Sequence, residues 1–164
     1  MSSAYTAAGS AAIATDPWAS GVGVVIAGDG IGPSPALNQN MTDRPVLQPS
    51  KTHPITIEPT RDRVTVRVDT DLVAVTGAAL TLQEGSYPPV YYIPLEDVVA
   101  ELLPSDTTTY CPFKGDAGYY HLRTEGGQTV EDALWTYREP FAAVAPIAGH
   151  VAFYPDKADV TVGA

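Results

Sequence analysis

Val64-Thr65-Val66-Arg67-Val68 decides the fold class of this chain. Three β-branched valines alternate with two polar residues, a period of two that sends the valines to one face of a half-buried strand. The same reading extends along the chain. Leu80 and Leu82 alternate with Thr81 and Gln83, and Val90-Tyr91-Tyr92-Ile93 is a short β-rich run stopped by Pro94. Tyr120 and Leu122 alternate with His121 and Arg123 before Gly126-Gly127 turns the chain. Val151 and Phe153 alternate with Ala152 and Tyr154, and Val160 and Val162 close the pattern. Short strands separated by frequent turns indicate a mainly β fold, a small barrel or sandwich of short antiparallel strands. One or two short helices are expected beside them. Leu95, Val98, Val99 and Leu102 fall at i, i+3, i+4 and i+7, with Glu96 and Asp97 in the first turn and Pro104 as the stop. A second, shorter helix is expected over Phe141 to Ala148, ending at Gly149.

The chain has 164 residues and a net charge of −10. Its nine Lys and Arg residues are scattered, whereas nucleic-acid and anionic-membrane surfaces need clustered cations. Neither partner is expected. Residues 1–40 hold two acids, Asp16 and Asp29, and no Lys or Arg, and are dominated by Ala, Gly and Ser. They read as an unpacked extension, and Met41 as a candidate natural start, with 41–164 a single mainly β domain. No basic n-region precedes the apolar stretch, so a secretory leader is not supported. Gly28-Asp29-Gly30-Ile31-Gly32-Pro33 is not a dinucleotide fingerprint, because its third glycine is misplaced and Pro33 and Pro35 interrupt the helix that would hold the phosphate. The single cysteine, Cys111, leaves no internal disulfide or multi-cysteine zinc site and suits a reducing cytoplasm. No local ligand spacing supports a metal, and no cofactor is expected.

The chemistry concentrates in Thr107 to Tyr120, TTTYCPFKGDAGYY. Pro112 restricts Cys111 to an extended backbone and Gly115 permits a tight turn, which brings the thiol and Lys114 toward one rim. A neighbouring cation raises the thiolate fraction. Lys114 also suits an anionic ligand, its plain alternative being a solvated pair with Asp116. His150, after the Gly149 turn, is a candidate general base, or simply a histidine bonded to backbone at a strand start. Glu84 and Glu139 are candidate ligand-binding carboxylates, and Tyr92 belongs to a set of tyrosines around these polar positions, each needing a partner for its hydroxyl if buried. His121 and His53 carry weaker signals, His121 on an exposed face and His53 in a proline-rich lead-in.

Three segments together, Leu82 to Pro94 (LQEGSYPPVYYIP), Thr107 to Gly115 (TTTYCPFKG) and Ile147 to Asp156 (IAGHVAFYPD), resemble the family catalogued as domain of unknown function 427. The resemblance spans roughly Met41 to Val162. It implies a compact, mainly β domain of a soluble bacterial-type protein, and no settled activity. A nucleotidyltransferase label sometimes accompanies the family, but neither a glycine-rich phosphate loop nor a paired Asp motif stands behind it here. Three readings follow. The first is a polar–aromatic pocket for a small molecule, lined by Glu84, Tyr92, Cys111, Lys114, Glu139 and His150. The second is an enzyme with Cys111 as nucleophile, His150 as base and Lys114 as stabiliser. The third is a structural or interaction domain.

Overall fold

The computed structural model describes residues 44–163; the extension expected over residues 1–40 and the candidate start at Met41 lie outside them. Among the described residues, ten strands occur: β1 Ile55–Pro59, β2 Val64–Val68, β3 Asp71–Thr76, β4 Leu80–Glu84, β5 Val90–Pro94, β6 Glu101–Cys111, β7 Gly115–Arg123, β8 Thr129–Thr136, β9 His150–Phe153 and β10 Asp159–Val162. They form a seven-stranded sheet in the order β1-β4-β5-β9-β8-β7-β6 and a three-stranded sheet in the order β10-β2-β3. All pairings are antiparallel. The fold is mainly β and sandwich-like, and the larger sheet does not close into a barrel.

Strand alternation explains the layers. Val64, Val66 and Val68 turn inward with Val73 and Ala74 of β3, and meet Ile93, Leu122, Leu134, Val151 and Phe153 of the large sheet. One residue along each large-sheet strand, the side chain passes to the opposite face. There Tyr92, Tyr119, Trp135, Ala152 and Tyr154 build a second core with Leu82, Cys111, Phe113, Val144 and Ile147. Central strand β9 is therefore buried on both faces from Val151 to Phe153, where its sequence suggested one buried face.

The helix expected from Leu95 to Leu102 does not form. Only a 3-10 turn, Leu95–Asp97, is present, closed by the Val98 amide donating to the Leu95 carbonyl at 3.2 Å. The chain then pairs with β3: Val98 bridges Ala74, and the amides of Val99 and Ala100 both donate to the Val73 carbonyl. Leu102 already belongs to β6, opposite Leu122. Two successive β-branched residues beside an open sheet edge favour extended backbone, and four matched positions are too few to outweigh those hydrogen bonds. The supposed apolar stripe is not buried as one face: Leu95 is 41% and Val99 67% exposed, while Val98 and Leu102 pack partly against the core. Pro104, read as a helix stop, sits inside β6 at a register irregularity, which edge position tolerates because no ladder donor is needed there. The second expected helix is a 3-10 segment, Ala142–Ile147, kinked at Val144 and containing Pro146, with Gly149 beyond it at φ +74°.

Leu134 is wholly buried between the two sheets, so Leu134→Ala should destabilise the fold by about 3 kcal/mol in denaturant titration. Val99→Ala should change stability by less than about 0.5 kcal/mol; a helix packed through Val99 would give a loss comparable to that at Leu134.

Candidate functional site

Glu84 ends β4, and its place is set from two sides. Edge strand β1 pairs Ile55 with Glu84, and the Gly85 amide donates to the Pro54 carbonyl at 2.8 Å. Gly85 then turns the chain at φ +52°. Lys114 lies in the tight turn between β6 and β7, where its amide donates to the Cys111 carbonyl. Gly115 leaves that turn at φ +109°, and a Cβ there would sit 3.4 Å from the Glu139 carbonyl oxygen. The backbone conformation at this position calls for glycine, while the space would admit a Cβ in ordinary contact. The Phe141 amide donates to the Lys114 carbonyl at 2.9 Å and packs the turn against the segment leaving β8.

These two positions are four strands apart in the sheet order. On a flat sheet that is about 19 Å. Curling of the large sheet brings the Lys114 ammonium Nζ to 2.6 Å from Glu84 Oε2. Both side chains are buried, Lys114 at 1% and Glu84 at 3% exposure. The other carboxylate oxygen, Oε1, is 2.8 Å from His53 Nε2, and the His53 ring stacks on Phe113 with centroids 4.1 Å apart and planes 12° from parallel. Cys111 Sγ lies 3.9 Å from Lys114 Nζ. Burial pushes the Cys111 thiol pKa up; the Lys114 charge and the amides of Phe113 and Lys114 pull it down without cancelling that effect. The thiol is therefore held protonated at neutral pH, which is the opposite of an activated nucleophile.

Glu84, Cys111 and Lys114 thus come together. Tyr92 lies in the same core as Cys111, its hydroxyl accepting from Trp135 Nε1 at 3.3 Å. Glu139 adjoins the turn through its carbonyl oxygen beside Gly115, but it lines a neighbouring groove of about 370 Å³ with Asp116, Tyr119 and Arg138. His150 opens β9, with β8 and β7 between it and Cys111's strand. Its Nδ1 is 2.9 Å from the Ala148 carbonyl, and it lines a shallow groove with Pro94, Leu95 and Glu96. His121 is part-buried, with Nδ1 accepting from the Asp132 amide at 3.0 Å. Asp116 pairs with Arg44 in a two-pronged contact of 2.5 and 2.9 Å rather than with Lys114. Among the described residues, no three His, Cys, Asp or Glu side chains gather to hold a metal, and no helix is long and apolar enough to cross a membrane.

His53 and Phe113 are the participants that sequence reasoning passed over. The Ile55–Glu84 register places His53 two residues upstream of Glu84's partner. Nothing local to the lead-in announces this; the signal lies in a pairing of β1 with β4.

A buried ion pair punishes the loss of one partner more than the loss of both. Lys114→Met or Glu84→Leu alone should cost about 3–5 kcal/mol in denaturant titration, and the double variant should recover most of that loss. For Cys111 the sign is definite. Its thiol pKa is raised on folding, so the stability it contributes is full below the unfolded thiol's pKa and is lost as pH rises through the folded value. Above about pH 8.5 the wild-type chain should lose stability more steeply than Cys111→Ala, as read by melting temperature against pH.

A search of curated proteins gives no match to this chain. The family model described as Domain of unknown function (DUF427) matches residues 56–164, which include the β4 end carrying Glu84, the Cys111–Gly115 turn and the Gly149–Asp156 segment. The chain belongs to the DUF427 family.

Proposed function

We propose that this domain binds a small molecule at the Glu84–Lys114 pair, beneath the segment 44–54. The observation that carries the reading is the burial of two opposite charges, 3% and 1% exposed, behind a single imidazole that is 25% exposed. Such a pair is seldom retained for stability alone, because desolvation offsets its attraction. Glu84 is the acceptor for the ligand, Lys114 holds that carboxylate in place through its 2.6 Å contact, and Phe113 supplies an apolar wall. Tyr92 and Trp135 support the site from within the core. Glu139 belongs to an outer rim with Arg138, in the neighbouring groove. The net charge of −10 argues against a nucleic-acid partner, and the single thiol suits a reducing cytoplasm.

The thiol-enzyme reading, with Cys111 as nucleophile, Lys114 as stabiliser and His150 as base, ranks second. The 3.9 Å approach of Lys114 to the sulfur favours it. The raised thiol pKa and the neutralisation of Lys114 by Glu84 weigh against it.

Equilibrium dialysis of the full chain against a metabolite extract, read by mass spectrometry, tests the binding reading. A compound should be enriched by the wild type and not by Lys114→Met/Glu84→Leu; equal profiles for the two proteins overturn it. In parallel, iodoacetamide should alkylate native Cys111 at least about 100-fold more slowly than the unfolded chain, as expected for a site reached only by opening. Rapid native alkylation that slows in His150→Ala would move the reading to the enzyme.

A further inference from the structure

His53 satisfies the site as a ligand would. Its flat ring covers Phe113 at 4.1 Å and 12°, and its Nε2 meets Glu84 Oε1 at 2.8 Å. The two surfaces it uses are built into the fold: Phe113 and Glu84 are 4% and 3% exposed and are held by the tight turn and by β4. The element that brings the imidazole is not. Residues 44–54 contain no strand or helix. They are fastened by a few side-chain and single backbone contacts: Arg44 to Asp116, Tyr110 Oη donating to the Pro45 carbonyl at 2.7 Å, the Leu47 amide donating to Pro112 at 2.9 Å, the Ser50–His53 turn, and the Gly85 amide donating to the Pro54 carbonyl at 2.8 Å where the segment enters β1.

We infer that His53 occupies a recognition place for a planar nitrogen heterocycle bearing a ring N–H, which competes with it for the Phe113 face and Glu84 Oε1. This rests on the binding reading above and names its ligand class. Stacking selects a flat ring. The carboxylate oxygen facing that ring selects an N–H donor, because a ring without one would leave a buried acceptor unpaired. Charge selects a neutral ring. Lys114 already neutralises Glu84 from the other oxygen, so a second full cation would pay desolvation for little attraction. An internal occupant also lowers the apparent affinity of the external one by the fraction of chains in which the place is filled.

The test uses the full chain, wild type and His53→Gly, titrated at about pH 8, where an imidazole ring is neutral, with imidazole, 1-methylimidazole and methylammonium. Binding is read by calorimetry and by melting temperature. Imidazole should bind His53→Gly at least about tenfold more tightly than the wild type, since the competitor is gone. On the variant, 1-methylimidazole, which lacks the ring N–H, should bind at least about tenfold more weakly than imidazole. Equal imidazole affinity for the two proteins overturns the proposal, as does indifference to N-methylation or a preference for methylammonium. Should His53→Gly not fold, benzimidazole titrated into the wild type carries the test by NMR. The His53 ring C–H signals should leave the ring-current shift of Phe113 and approach those of a free histidine; signals unmoved at the solubility limit overturn it. A metabolite still enriched by the wild type over Lys114→Met/Glu84→Leu after such a failure overturns the heterocycle alone, and no enrichment overturns the binding site as well.

Discussion

The contact between Lys114 Nζ and Glu84 Oε2, 2.6 Å long and almost wholly buried, joins parts of the sheet that share no ladder of backbone hydrogen bonds. Four strand intervals separate β4 from β7 in the sheet order. The intervening strands curl enough for the two side chains to meet, and the shared aromatic core holds the same ends together. Removing either partner leaves a charge in an aromatic interior, where solvation by water is absent and the penalty is several kcal/mol. The large aromatic side chains on that face, Trp135, Tyr92, Tyr119 and Tyr154, fill the concavity that the curl creates.

The same burial governs the chemistry. A lysine three residues after a cysteine suggests an activated thiol when the two share water-exposed space. Here the lysine is committed to a carboxylate and the sulfur is enclosed, so desolvation outweighs the cation and the thiol stays protonated. The charge that the site offers to the outside is one oxygen of Glu84, and an imidazole covers it. The proposed binding reading, by stacking and one directed hydrogen bond, draws on this arrangement, whereas the raised thiol pKa weighs against the alternative of nucleophilic attack.

Segment 44–54 ties the outer surface to that interior. Arg44 sits 4.2 Å over the Tyr110 ring while gripping Asp116, so one residue bridges the hairpin of β6 and β7. Both partners of the Arg44–Asp116 contact are about half exposed, and exposed pairs of this kind contribute little stability. The strap is consequently held by weak contacts at its start, and by His53 and the Pro54–Gly85 backbone bond at its end, beside the Glu84–Lys114 pair.

Local pattern by itself determined the β class of this protein and most of its strands. Val64 to Val68, Leu80 to Leu82, Val90 to Ile93 and Val151 to Phe153 are strands because alternation and β-branched or aromatic composition act over a few residues, without distant partners. The motif around Cys111, Lys114 and Glu84 was legible as a candidate site for a similar reason: a tight turn needs Gly115, and the family's segments are contiguous. Tertiary structure decided the rest. Leu95 to Leu102 carries a helical spacing, yet hydrogen bonds to Val73 and pairing with Leu122 hold it extended. The partners of Lys114 were likewise undecidable from spacing, since Asp116 is two residues away and Glu84 thirty. His53 enters the site, and His150 stands three strands away from Cys111, through strand order and register alone. These are long-range pairings that no short window of sequence encodes.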